Sequence, residues 1–302
     1  MNRLRTLFRA TVLAGALPIL AAAQDIGDRI DTTLVLDRGG VVELGAVSGE
    51  IRVIGSDRRD VRISASIERG RLELTATSAR IALRTRSVNN RQSGARFDVA
   101  VPVGTRVQAS TVSGRIEVRA TQGEVIARST SGSVEVREAK ERVEVETVSG
   151  EIDLQRVSGR VSAEGVSARI YADDVTGELT AETVSGEISV RRGKLSALSA
   201  EAVSGSISYD GLLEANGRYR MNTHSGTVTL SMPANVGARL ELETFSGRIS
   251  SDFPLTMQPG ETGGRRGRRM EFTLGDGSAR IIAGSFSGNI NIRRASTASG
   301  RE

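Results

Sequence analysis

Apolar and polar positions alternate with period two along most of this chain, and the alternation is interrupted at fixed intervals. Around a recurring Ser-Gly unit, a glycine or the residue replacing it returns every nine positions: Gly114, Gly123, Gly132, Glu141, Gly150, Gly159, Ala168, Gly177 and Gly186. Two residues before each point stands an apolar or small residue, as in Val112, Val148, Val157 and Val184. Two after it come Ile116, Val134, Ile152 and Ile170, and four after it Val118, Val136, Leu154 and Ala172. Charged and hydroxyl residues fill the gaps. Period-two alternation rich in Val and Ile predicts half-buried strands. No helical stripe competes with it outside the first 23 residues.

A strand of about five residues and a glycine-bearing corner fill nine positions, because glycine tolerates the φ > 0 that corners often need. Two such halves make an 18-residue coil. The pattern therefore predicts an all-β fold, a two-sided parallel β-solenoid in which residues 18 apart stack in columns ~4.8 Å apart. The structural turn positions are Gly114, Gly132, Gly150, Gly186 and Gly205. The series continues at Gly205, Gly226 and Gly247 with spacings of 19, 21 and 21, and reappears at Gly288. Coils therefore lengthen toward the C-terminus. The expected organisation is a lead-in at 24–39, an N-terminal β portion or cap at 40–110, a regular solenoid at 111–210 and longer coils at 211–256. A basic Gly/Arg loop at 257–270, closing strands at 271–293 and a loose tail at 294–302 complete it. Tyr171 is expected to face outward, and Tyr209, Phe245 and Phe286 inward.

The N-terminal segment alters the picture of where the chain works. Arg3, Arg5 and Arg9 precede an apolar run from Ala10 to Leu20 and then Ala21-Ala22-Ala23. This reads as a secretory signal peptide cleaved after Ala23. No later segment is apolar enough to span a membrane as a helix, and no Cys near the cleavage point could carry a lipid anchor. The formal net charge of +5 shrinks accordingly. Setting aside the three leader arginines from 41 Lys+Arg, against 36 Asp+Glu, leaves about +2. Nucleic acid is therefore not the expected partner.

Repeat and lead-in together resemble a known family. Its marks are the recurring Thr-Val-Ser-Gly-Glu-Ile units and the lead-in from Phe97 to Gly114, echoed from Leu230 to Gly247. The closing run from Gly275 to Gly288 matches as well. These resemble the bacterial β-strand-repeat family called domain of unknown function 4097, whose adhesin label rests on its repeat architecture. The resemblance extends over roughly residues 40 to 293. It implies a cell-envelope setting, with a link to envelope stress in some relatives, and it carries no catalytic residues over.

Candidate chemistry is sparse. The chain has no Cys, no Trp, one His and 3% aromatics. Disulfides, thiolate catalysis and Cys- or His-cluster metal sites are excluded, and no cofactor is expected. The serine column Ser113, Ser131, Ser149, Ser167, Ser185 and Ser204 lacks a neighbouring base and reads as a hydroxyl ladder serving backbone groups. His224 stands where Val stands in other units and reads as a replaced core or corner residue. Glu146, Glu164 and Glu182 should stack on one face, with Glu144 and Glu178 nearby. Such a column could take Ca²⁺, or be neutralised by Arg128, Arg142 and Arg160. Arg265, Arg266, Arg268 and Arg269 could touch an anionic polymer. No catalytic residues are assigned. The sequence thus points to a non-enzymatic, exported, monomeric envelope protein that binds a surface, such as envelope polysaccharide or another surface protein. The alternatives are a polysaccharide-acting β-helix enzyme and a self-assembling scaffold.

Overall fold

The computed structural model describes residues 24–25, 27–86, 94–254 and 268–295. The leader and its cleavage point, Arg265, Arg266 and residues 296–302 lie outside them, while Arg268 and Arg269, expected in the basic loop, and Arg294, expected in the tail, lie in strands. Every regular element described is a strand. In chain order the first eight are β1 (Gln24–Asp25), β2 (Arg29–Val35), β3 (Val41–Ser56), β4 (Asp60–Ile67), β5 (Arg71–Ala76), β6 (Arg80–Arg86), β7 (Ala95–Pro102) and β8 (Arg106–Arg119). The coils continue through β9 (Val125–Ser131), β10 (Val134–Arg137), β11 (Arg142–Gln155), β12 (Ser158–Asp173), β13 (Thr176–Ser185), β14 (Ile188–Ser204), β15 (Ile207–Ser225) and β16 (Val228–Met232). The chain ends with β17 (Ala238–Ser246), β18 (Ile249–Ser251), β19 (Arg268–Leu274), β20 (Ala279–Ser287) and β21 (Ile290–Arg294).

The expected parallel solenoid is what the strand pairing shows. Ile116 pairs with Val134, Val134 with Ile152, Ile152 with Ile170 and Ile170 with Ile188, all parallel. On the other wall Val107, Val125, Val143, Val161 and Leu179 follow one another in the same way. All of these side chains are buried. Each buried aliphatic contributes ~1.5–3 kcal/mol, and only stacking supplies the neighbours, so no coil is stable alone.

Both ends of the stack change to antiparallel pairing. At the N-terminal end, β3 contributes to both walls. Its first half pairs with β6 and its second with β7. The first wall then continues as antiparallel β5 and β1, and the second as antiparallel β4 and β2.

The C-terminal end departs from sequence order. The coil of β15 and β16 pairs not with the following β17 and β18 but with β20 and β21. Those in turn pair with β17 and β18. The chain skips one rung, turns back through antiparallel β19 and fills the vacant rung last. The Ser-Gly unit at Gly288 thus lies between those at Gly226 and Gly247.

The wider coils are filled by two tyrosines. The Tyr209 and Tyr219 rings are buried with centroids 5.6 Å apart. The Tyr209 hydroxyl donates to Leu212 O at 2.8 Å, and the Tyr219 hydroxyl donates to Leu195 O while accepting from Glu214 N at 2.9 Å. Burial raises the pKa of both phenols, so both stay protonated.

Candidate functional site

The two corners of each coil are not equivalent, although they share a motif. Val148-Ser149-Gly150 and Val157-Ser158-Gly159 are the same tripeptide, yet Val148 is 50% exposed and Val157 is 1% exposed. The residue before decides. At the Val157 corner, Arg156 adopts φ 52°, and Ala120, Glu138 and Asp174 do likewise in neighbouring coils. This left-handed residue turns the chain sharply and aims the next side chain inward. Each donates its N–H to the adjacent rung, as Arg156 does to Asp173 O at 2.9 Å, which helps offset strain of ~1–2 kcal/mol. At the Val148 corner the strand runs through unbroken. Thr147 points inward and Val148 outward.

The expectation that Phe245 and Phe286 face inward is therefore corrected. They belong to the outward column and are 51% and 50% exposed. Tyr209 is inward as expected, and Tyr171 is half-buried on the opposite wall beneath the Arg191 guanidinium, 5.6 Å from its ring centroid.

The serines are corrected in role. Ser113, Ser131, Ser149, Ser167, Ser185 and Ser204 are exposed, and none makes a side-chain hydrogen bond among the described residues. In four units the backbone is served instead by the hydroxyl residue three before the corner, which the sequence reading passed over, while the buried hydroxyls of Thr111, Ser129 and Thr147 at the same position have no partner among the described residues. Thr183 donates to Ala168 O at 3.2 Å, Thr223 to Gly205 O at 2.9 Å, Ser285 to Gly226 O at 3.0 Å and Thr244 to Gly288 O at 3.0 Å. The signal was present, since Thr or Ser recurs at that position while charged residues recur at the other corner.

The corner glycines are needed mainly because the rungs approach closely, rather than for φ alone. A Cβ on Gly150 would lie 2.1 Å from Gly132 O, and one on Gly205 would lie 1.7 Å from Gly186 O. Gly114, Gly132 and Gly186 meet the preceding rung's carbonyl at 2.3, 2.0 and 1.9 Å in the same construction.

This corner makes a groove of about 1130 Å³ that crosses the rungs. One side is the outward column Val47, Val112, Thr130, Val148, Val166, Val184, Val203, His224 and Phe286, and the floor is the threonine column. Phe245 extends the ridge by one rung, giving ten rungs and a length of roughly 43 Å. His224 is a corner residue. Its ring stacks on Phe286 at 4.8 Å, and Phe286 stacks on Phe245 at 4.8 Å, both within 3° of parallel. Their faces cover one another, so edges meet solvent. The ladder exists because the last unit of the sequence inserts between the other two.

The far side carries Arg128, Glu146, Glu164, Glu182 and Glu201 in consecutive rungs. The glutamate column is stacked as expected. Arg128 binds Glu146 at 3.0 Å and Glu144 at 2.7 Å, lowering the Glu146 pKa chiefly through that hydrogen bond. Arg142 reaches Glu124 and Glu144, and Arg160 takes Glu178 at 3.1 Å. Glu164 accepts only from Ser162, at 3.2 Å, and Glu182 and Glu201 have no partner among the described residues. No group of three acidic or histidine side chains among the described residues is placed to hold a metal. Arg269 is tied to Glu241 at 2.6 Å and Glu271 at 3.0 Å.

On the opposite wall Glu117, Glu135 and Asp153 share one row and Arg119 and Arg137 the next. Arg52 links Glu50, Asp98 and Glu117 at 2.9–3.1 Å. This is a mixed-charge lattice. No described helix is long and apolar enough to cross a membrane.

No curated protein matches this chain. Among solved structures, a candidate cell adhesion protein from Clostridium sporogenes aligns over 88% of this chain and 100% of its own, at 9% identity and a TM-score of 0.25. Residues 158–293 match the family model described as Toastrack DUF4097, the family that the repeated Val-Ser-Gly units resemble.

Proposed function

We propose that this is an exported, non-enzymatic cell-envelope protein that uses the corner groove to hold an extended polymer, with envelope polysaccharide as its first candidate. The observation that carries the reading is the outward apolar column. Val112, Val148, Val166, Val184 and Val203 are half-exposed in one column, interrupted only by Thr130, although the glutamates across the groove are charged. An apolar strip of this length is what an interaction surface presents. Its repeat suits a linear partner that makes many similar contacts rather than one deep one. The signal-like leader supports export, and the family's adhesin label is consistent with surface binding.

The groove carries glutamates in four consecutive rungs, Glu146, Glu164, Glu182 and Glu201, and of these only Glu146 is held by an arginine. Acid–base cleavage of a glycan uses one carboxyl group kept protonated, commonly by burial, beside one ionised carboxylate, and none of these four side chains is buried. No described hydrogen bond joins His224 to a serine.

Retention of isolated envelope polysaccharide on immobilised protein tests the reading, together with an assay for new reducing ends. The native protein should retain polymer without cleaving it, and Val148→Asp/Val166→Asp should release it while keeping the native circular dichroism spectrum. Retention unchanged by that double substitution, or turnover above background, would overturn the proposal. Cell fractionation tests the export half separately, and a cytoplasmic protein would contradict it.

A further inference from the structure

Several arginines reach a carboxylate at about 3 Å, among them Arg52, Arg128, Arg160 and Arg156, while others, such as Arg115 and Arg169, stand apart without one among the described residues. One group without a close acidic partner is stacked rung upon rung. Arg218 on β15 lies in register with Arg280 on β20, and Arg280 with Arg239 on β17. Three like charges in consecutive rungs repel one another. Arg218, Arg220 and Arg239 have no acidic partner among the described residues. Arg280 reaches only Glu241, at 3.9 Å, and Arg269 holds that carboxylate more closely, at 2.6 Å.

Three of these side chains surround a depression of about 530 Å³ on the same wall as the groove but toward the other corner. Its origin is local. The register slips between Leu195 and Ala197, Ser196 is pushed out, and the small Ala197 lies beside Arg218. The floor also presents the Thr180 and Ser199 hydroxyls. The one acidic group on the rim, Glu178, is held by Arg160 at 3.1 Å.

We propose that Arg218, Arg220 and Arg280 form a binding site for a phosphate-bearing ligand, distinct from the groove. A guanidinium presents a planar fork that fits oxyanions in pairs of hydrogen bonds. One fork satisfies a carboxylate. Three forks with two hydroxyls suit the greater charge and the three or four acceptor oxygens of a phosphoryl group. The ligand also relieves the repulsion that the stacked register imposes.

Calorimetric titration of the full chain with inorganic pyrophosphate at low ionic strength tests this. Flotation with phosphatidic acid vesicles, against phosphatidylcholine vesicles, distinguishes a lipid headgroup from a soluble phosphoryl group. Binding should weaken at least tenfold in Arg218→Gln/Arg220→Gln, about 1.4 kcal/mol or more. Arg218→Lys should bind as weakly as Arg218→Gln, and Arg156→Gln, whose partner Glu138 lies outside the depression, should leave binding nearly intact. Val166→Asp should not affect it, which separates this site from the groove. Absence of binding at millimolar pyrophosphate, or equal weakening by Arg156→Gln and Arg218→Gln, would overturn the assignment. Unchanged thermal melts show that the variants report on binding and not folding.

Discussion

The methyl group of Ala168 occupies the space that a side chain on Gly165 would need, since a Cβ built on Gly165 would lie 2.3 Å from Ala168 Cβ. Gly165 is in register with Thr147 and Thr183, and Ala168 with Gly150. Other coils pair a threonine, serine or alanine with a corner glycine, and this one pairs a glycine with a corner alanine. Two departures from the repeat therefore compensate each other. Gly165→Thr alone should overpack the corner and cost ~1–3 kcal/mol. Adding Ala168→Gly should recover most of that, and a double-mutant cycle by chemical denaturation should give a coupling of ~1 kcal/mol or more. Additive effects would contradict the exchange.

The glycine column predicts a sharp contrast between two alanine substitutions. Gly205→Ala puts a methyl 1.7 Å from the Gly186 carbonyl oxygen, whereas Gly104 has open space around it. The first should lower stability by ~2–4 kcal/mol and the second should change it by less than ~0.5 kcal/mol. Thermal melts of the two proteins check this.

Phe286 lies between His224 and Phe245, so removing it breaks two ring contacts at once. Stacked pairs contribute ~0.5–1.5 kcal/mol each. Phe286→Ser should cost ~1–3 kcal/mol, while Val166→Ser, in the same column without ring neighbours, should cost less than ~1 kcal/mol. Equal effects would show that the rings do not stack in solution.

Burial raises the pKa of both Tyr209 and Tyr219, and it raises them relative to the unfolded chain. Their contribution is therefore fully present below the ordinary phenol pKa of ~10 and is lost as pH rises above it. Ultraviolet titration of the native protein should show Tyr209 and Tyr219 ionising above the ordinary phenol range, together with alkaline unfolding. Ionisation of either at the ordinary phenol pKa while the fold persists would contradict its burial.

Much of the solenoid is legible in the residues themselves. The columns through Ile116 and Val107 follow from alternation and an 18-residue repeat, because parallel strands stack with identical residues in line. Less legible is which corner faces out. Val148 and Val157 carry the same motif, and only the preceding residue separates them, an inward threonine in one case and a left-handed arginine in the other. Periodicity weighs side chains and is blind to φ. The rung order at the C-terminal end is hidden for a different reason. The Gly288 unit fits its neighbours equally well on either side of Gly247, so only strand pairing reveals that it fills a gap. The register of the glutamate column follows from the 18-residue spacing, but arginine reaches only Glu146 in it, through Arg128, and leaves Glu164 and Glu182 without a cationic partner among the described residues. The unpaired arginines of β15 and β20 could not be found by spacing, since 62 residues separate Arg218 from Arg280.

Rung order decides whether the outward column is one continuous ridge, and a native sequence without cysteine makes it directly measurable. Ser225 is in register with Ser287, and Ser287 with Ser246. Neighbouring parallel rungs bring Cα atoms within disulfide reach, and a separation of two rungs does not. Oxidation of the pairs Ser225→Cys/Ser287→Cys and Ser287→Cys/Ser246→Cys should each give an intramolecular disulfide, and Ser225→Cys/Ser246→Cys should give none. A disulfide in the third pair with none in the first would place the coils in sequence order and contradict the ridge as described.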